Sequence, residues 1–205
     1  MDLALFDFDG TISDRQTMPD FMHAAVRPGR LLAGKLLLMP LIVGYRLGVV
    51  SGSVVRAAIC LLGFWRVPAA EVEALGAAFA ADVIPGTLRA EMLERIAWHK
   101  SREDTVVVVS GGLDLYLRQW ARGHDLALLC SSLEQRGHRL TGFYGGRQCV
   151  GEEKVRRIQE KYRLADFDRV HAYGDSVEDA AMLAMADERW YRGKCLPSGQ
   201  PLALE

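Results

Sequence analysis

No sign of charge dominates this chain of 205 residues: 25 lysines and arginines stand against 26 aspartates and glutamates, for a formal net charge of -1. Such a balance builds no field for a polyanionic backbone, so a nucleic-acid partner is not expected. Cysteine is scarce as well. Cys60, Cys130, Cys149 and Cys195 lie far apart. No pair has the spacing of a zinc or redox motif, a disulfide framework is excluded, and free thiols in a reducing cytoplasm are expected. The opening Met1-Asp2-Leu3 lacks the basic stretch of a secretory leader, and none is expected. Internal repeats and low-complexity tracts are missing too. What is present is an ordinary globular composition, 50% hydrophobic and 25% charged, long enough for one full core and a smaller lobe.

Residues 31–65 depart from that average. They are strongly apolar and contain no aspartate or glutamate. Their uncharged stretches, bounded by Lys35, Arg46, Arg56 and Arg66, run only nine or ten residues, short of the roughly 17–25 that a membrane span needs. Two readings remain. In one, the segment is a helical lobe that packs its own core and extends to a homodimer interface. In the other, it lies on a membrane surface, with Arg27, Arg30, Lys35, Arg46 and Arg56 toward anionic headgroups.

Elsewhere short apolar runs alternate with helical patterns. Residues 3–6, 105–109, 126–130 and 169–173 read as strands buried on both faces, and 189–191 as a further one. Helical periodicity covers 88–99, 113–122, 152–163 and 177–186. Strand followed by helix, repeated, predicts a right-handed parallel sheet. Gly142–146 suggests the turn of a β-hairpin within 131–150. Residues 14–84 break the alternation. Their patterns are helical only, punctuated by Pro28, Pro40 and Pro68. The expected division is a core of 1–13 plus 85–205 and a helical lobe of 14–84.

Ligands of open α/β sheets bind beyond the carboxyl ends of the strands. The residues there are Asp7 and Asp9, Ser110 and Gly111, and Asp175 and Asp179, with Lys154 in the first turn of a helix. Clustered carboxylates repel unless a cation joins them, and an all-oxygen set suits Mg²⁺. Ser110, with neighbouring N–H groups at a helix start, offers an anion site, and Lys154 adds a point charge. A carboxylate nucleophile beside a metal and an anion hole is an arrangement for phosphoryl transfer. The five histidines do not cluster in sequence, and structural roles are expected for them.

These residues resemble the four motifs of the haloacid dehalogenase-like hydrolase superfamily: Asp7-Phe8-Asp9-Gly10-Thr11 the first, Ser110 the second, Gly151-Glu152-Glu153-Lys154 the third, and Gly174-Asp175-Ser176-Val177-Glu178-Asp179 the fourth. The resemblance implies a Rossmann-like α/β core with a helical-bundle cap inserted after the first strand and a small β-hairpin insert, as in the phosphoserine-phosphatase-like branch. It implies a Mg²⁺-dependent phosphomonoesterase acting on a small-molecule substrate such as phosphoserine or histidinol phosphate. In that reading Asp7 is the nucleophile and Asp9 the general acid and base. Mg²⁺ is held by Asp7, the Asp9 carbonyl and Asp175, while Thr11 and Asp179 support the site from behind. Ser110, Gly111 and Lys154 clamp the phosphoryl oxygens. Two positions depart from the branch. Gln16 stands where a glutamate reads the substrate's amino group, and Glu178 where an asparagine is usual. Arg56 is the candidate for binding a substrate carboxylate. The apolar, arginine-studded cap is also similar to that of the phosphatidylglycerophosphatase C type, which implies a lipid phosphate instead, and a third reading is a non-catalytic phosphate-binding protein that keeps the site and acts through its cap.

Overall fold

The computed structural model describes residues 1–197. The remaining residues of the expected core, 198–205, lie outside the described part. Six strands form one sheet in the order β3-β2-β1-β6-β7-β8. These are β1 (Leu3–Phe6), β2 (Thr105–Leu113), β3 (Ala127–Ser131), β6 (Val170–Gly174), β7 (Glu188–Tyr191) and β8 (Lys194–Leu196). All neighbours run parallel except β7 and β8, which pair antiparallel. The edge strand β8 was not anticipated; it is three residues long with no apolar run to announce it.

Alternate residues of the central strands feed two cores. Ala4, Phe6, Val106 and Val108 face α5 (Ala90–Ser101) and α6 (Asp114–Gly123), whose Met92, Ile96, Leu117 and Trp120 share their cluster. Leu3, Leu5, Val107 and Val109 face α7 (Glu152–Lys161) and α8 (Ala180–Ala184), through Ile158, Met182 and Leu183. A sheet covered on both faces has strands that read as continuous apolar runs, which is why β1 and β2 were plain in the sequence.

Between β1 and α5 the chain builds α1 (Met18–Ala25), α2 (Pro28–Arg46), α3 (Gly52–Phe64) and α4 (Ala69–Asp82). This is the helical cap. Its two connections to the core run side by side: Ser13 and Leu88 form an antiparallel bridge, Asp14 N–H donates to Thr87 O at 2.7 Å and Arg89 N–H to Ile12 O at 2.9 Å. The cap's α4 packs on α6, and Phe21 and Phe79 pack against Tyr116, with Phe64 against Phe21.

Three expectations need correction. Pro40 does not punctuate: α2 runs straight through it. Nor does α2 pack as core. Of its residues only Leu38 and Gly44 are buried, while Leu32, Leu36, Leu37, Met39, Val43 and Tyr45 are exposed. Third, the hairpin exists but turns elsewhere. It consists of β4 (Leu133–Arg136) and β5 (Arg139–Tyr144), joined at Gly137-His138, with Gly142 inside β5. Gly142 has another reason to be glycine: its φ is 81°, and a Cβ there would stand 2.8 Å from the Leu61 Cα of α3. No helix among the described residues is long and apolar enough to cross a membrane.

Candidate active site

The carboxyl ends of β1, β2 and β6 converge with the start of α7. Asp7 follows β1 directly, and its N–H donates to Tyr173 O of β6 at 2.9 Å. The chain then turns sharply through residues 8–12, where Gly10 takes a φ of 87°. A side chain at Gly10 would be strained there, and its Cβ would also lie 2.3 Å from Asp175 Oδ2. That glycine is what lets the first and fourth motifs approach.

Lys154 is 1% exposed. Its ammonium donates to Asp7 Oδ1 and to Asp179 Oδ1, each at 2.6 Å. The other oxygen of Asp179 accepts from the N–H groups of Asp175 and Ser176 and from the Ser176 hydroxyl, at 3.0–3.1 Å. Asp179 is thereby committed to shaping the turn after β6. Burial opposes the charge on Lys154, but the two carboxylates more than offset it and hold its pKa above the usual lysine range. Asp7 is pushed well up, first by burial and then by the nearby Asp179. One ammonium serves two carboxylates, and the balance is negative.

Asp9 lies one turn away. Thr17, at the entry to α1, donates to Asp9 Oδ1 through its N–H at 2.7 Å and its hydroxyl at 2.6 Å, and that hydroxyl is 3.1 Å from the Tyr116 OH. Burial raises the Asp9 carboxyl, and the Thr17 bonds oppose that rise. Neither Thr17 nor Tyr116 was singled out from the sequence; no motif carries them, and their partner Asp9 is eight residues from one and far from the other.

Asp7, Asp9, Gln16, Met18, Arg56, Gly111, Gly112 and Lys154 line one small cavity, together with Ser176, Glu178 and Asp179. Ser110 is fully buried behind it, its Oγ accepting from the Gly112 N–H at 2.9 Å. Here the expectation of a helix start is corrected. Strand β2 continues to Leu113 with an irregularity between Ser110 and Leu113, and α6 begins only at Asp114. Two residues without Cβ permit this: a Cβ on Gly111 would stand 2.7 Å from Val150, and one on Gly112 2.8 Å from Leu117. The N–H groups expected to meet an anion belong to a bulged strand end, and that of Gly112 is taken up by Ser110. Thr11 lies on the far side, its buried hydroxyl without a partner, lining a neighbouring cleft with Asp175. Arg56 reaches in from α3, its Nη2 2.7 Å from Glu178 Oε1 and its Nε donating to Gln148 Oε1 at 3.0 Å.

The residues fit a hard divalent cation. Oxygens of Asp7, Asp175 and Asp179 lie within 4.8 Å of one another. Asp175 Oδ1 is buried without a hydrogen-bond partner, and burial pushes its carboxyl up. A buried oxygen with no donor, beside two further carboxylates and one lysine, is a place for a metal with oxygen ligands.

The sequence pattern of haloacid dehalogenase-like hydrolases matches residues 4–184. The chain belongs to this family. Among the relatives of this haloacid dehalogenase-like hydrolase is Protein CicA of Caulobacter vibrioides, 31% identical over 194 residues, which span 93% of this chain and 85% of CicA. A protein of unknown function from Bordetella pertussis Tohama I has the same fold, with a TM-score of 0.77 at 24% identity, over 90% of this chain and 86% of that one. A substrate-bound phosphoserine phosphatase superposes with a TM-score of 0.67 at 20% identity, over 92% and 84% of the two chains. The acidic cluster of this family member has the makeup of a phosphatase site.

Proposed function

We propose that the chain is a Mg²⁺-dependent phosphomonoesterase that works through an aspartyl phosphate on Asp7. Residues 1–13 and 85–205 carry the chemistry, and residues 14–84 choose the substrate. The observation that carries the reading is the convergence of Asp7, Asp179 and Lys154 at 2.6 Å beside the partnerless oxygen of Asp175. Asp7 and Asp175, with the Asp9 carbonyl, would hold Mg²⁺. When bound, the cation offsets the charge of the phosphoryl group and its nucleophile.

The chain's own groups then act in order. Lys154 and the Gly111 N–H receive the phosphoryl oxygens. An Asp7 oxygen attacks phosphorus, the ester bond breaks, and Asp9 gives its proton to the departing alcohol. Asp9 then takes a proton from water, whose oxygen attacks the same phosphorus, releasing phosphate and Asp7. Thr17 holds Asp9 for both transfers. Ser110 supports the bulge that presents the Gly111 N–H, and Asp179 orients Lys154. Hydrolysis of an aryl phosphate tests this. The wild type should turn over with Mg²⁺ and stop with EDTA, and Asp7→Asn should be inactive. Robust turnover by Asp7→Asn would falsify the reading.

Two substrate classes follow. A small amino-alcohol phosphate is supported by the fold shared with phosphoserine phosphatase. A lipid phosphate is supported by the exposed apolar face of α2, in a stretch, residues 21–70, with six lysines and arginines and no acidic residue. In that reading the cytoplasmic protein rests on the inner membrane surface through its cap. Co-sedimentation with anionic vesicles at low salt supports it. A homodimer through the same face, seen by sedimentation without vesicles, counts against it.

A further inference from the structure

A second cleft, of about 430 Å³, lies where the two connections of the cap meet the ends of β6 and β7. Of its residues only Gln16 also lines the catalytic cavity. Asp14 and Arg15 reach it from the incoming connection, and Arg89 from the outgoing one, where its Nε donates across to Ser13 O at 3.4 Å. Gly174, Asp175 and Trp190 come from the sheet, and Arg192 from the turn between β7 and β8.

This wall holds unanswered polar atoms. Among the described residues, three of the six buried side-chain atoms without a hydrogen-bond partner belong to it: Thr11 Oγ1, Asp175 Oδ1 and Trp190 Nε1. Asp175 has a use at the cation. Thr11 and Trp190 have none there. Thr11 is 6% exposed. Trp190 is held by stacking on Tyr173 and by the Arg95 guanidinium, 4.5 Å from its ring centre. Buried groups of this kind call for a partner.

The charges say which partner. Arg15, Arg89 and Arg192 line the cleft with Asp14, Glu91 and Asp175. With Asp175 committed to the cation, three guanidiniums face two carboxylates. Asp14 accepts from Arg15 Nε at 2.7 Å and Nη2 at 3.3 Å, and Glu91 stands 3.9 Å from Arg89 Nη1. One carboxylate occupies only part of a guanidinium's fork. Helix α5 starts here as well, and Arg89 at its N-cap position supplies no side-chain cap, so the first N–H groups of the helix add to the same field. Arg192 takes a φ of 49° in a two-residue turn that favours asparagine or glycine, and its Nε donates to the Asp175 carbonyl at 3.0 Å. Water would satisfy Thr11 and Trp190 but leave the excess charge. An oxyanion answers both.

We propose that this cleft is a second anion site, apart from Asp7 and Lys154, which takes the phosphate group of a small dissolved molecule and fixes the junction that carries the cap. The anion ties Arg15 and Arg89 of the two connections to the core, so its binding slows the cap. Binding does not depend on the phosphomonoesterase reading; the effect on turnover rests on it.

Equilibrium dialysis with labelled inorganic phosphate tests the site, in Mg²⁺ and with beryllium fluoride filling the phosphoryl position on Asp7. One phosphate per chain should still bind, and Trp190→Phe and Arg15→Gln should each weaken it about tenfold. Both variants should keep the phosphate-free turnover of p-nitrophenyl phosphate within about twofold. In the wild type added phosphate should lower kcat as well as raise KM, and in the variants it should only raise KM. No phosphate bound beside the fluoride, or binding that neither variant weakens, overturns the proposal and leaves the phosphatase reading standing. Binding that both variants weaken, in a protein that turns over no ester, supports the site and removes the phosphatase reading. Phenylphosphonate, which is not hydrolysed, separates the sources: tighter binding than phosphate supports an organic phosphate, and equal or weaker binding supports the free phosphate that the reaction releases.

Discussion

Thr17 closes on Asp9 with both of its donors, N–H at 2.7 Å and hydroxyl at 2.6 Å, and both meet the same oxygen, Oδ1. The plane of the carboxyl is thereby set by the residue at which the cap begins. A proton donor held this way needs little reorganisation when it meets the leaving oxygen. In the proposed mechanism the cap would thus contribute to the chemistry before it touches any substrate.

Thr17→Val removes the hydroxyl and keeps the volume. kcat should fall about tenfold, a modest part of a general acid's usual contribution, with KM little changed. Thr17→Ser should restore most of it. A purely structural role would lower the stability of Thr17→Val and leave the kcat of its folded fraction intact, so the unfolding midpoint is measured with the kinetics.

Lys154 stands between Asp7 and Asp179 in a space it shares with almost no water. Lys154→Met leaves two buried carboxylates facing each other. Breaking a buried pair costs about 3–5 kcal/mol, and urea denaturation should show a loss of that order together with loss of turnover. Added Mg²⁺ should recover part of the stability. An unchanged midpoint would mean that the two carboxylates relax into water once the lysine is gone.

At the other end of the sheet His99 is fully buried, 2.9 Å from both Asp104 Oδ2 and the Tyr173 OH. Burial holds its imidazole below the ordinary 6.5, against the pull of Asp104. The unfolded chain therefore takes up a proton first as pH falls. Stability from this group is complete above 6.5 and declines below it, by at most about 1.4 kcal/mol per pH unit. Denaturation at pH 7.5 and 5.5 should show that slope, and His99→Gln should flatten it. An equal slope in the variant assigns the effect to other groups.

Two glycines on cap helices should respond oppositely to alanine. A Cβ on Gly76 of α4 would lie 2.1 Å from the Leu115 carbonyl oxygen of α6, whereas Gly34 of α2 has nothing within 4 Å. Gly76→Ala must push α4 off α6 and should cost about 1–3 kcal/mol. Gly34→Ala should gain up to about 1 kcal/mol from helix propensity alone. Thermal unfolding of the two variants checks both signs.

Much of this was legible from the chain. Strands β1, β2 and β6 announce themselves because a sheet buried on both faces must be apolar at every position, and the carboxylates that follow them break those runs abruptly. The carboxylates Asp7, Asp9, Asp175 and Asp179 were readable for that reason, and Lys154 from its place in the first turn of α7. Other features were not. Helix α2 is apolar all round, so its sequence holds no stripe to say which side meets the protein, and its exposure emerged only from the packing. Gly142 looked like a turn because glycine marks turns; its actual reason is the backbone of α3 pressing against it. Thr17 and Tyr116 meet Asp9 through the docking of cap on core, a contact between segments that no local pattern encodes. The bulge after Ser110 is similar. Its glycines answer to Val150 and Leu117, residues distant in sequence or on the next helix.

The side-by-side crossing at Ser13 and Leu88 has a consequence for how such a molecule changes over generations. Entry and exit of the cap are neighbours bonded to each other, so the core meets the same closed junction whatever lies between them. The entropy of closing a loop there grows only slowly with its length. An insertion, a shortened helix or a wholly different cap imposes little on the sheet, provided the junction itself is kept. Substrate choice can therefore drift quickly while the carboxylates stay still, and the acid-free apolar stretch of this chain is the kind of change that such an arrangement makes easy to acquire.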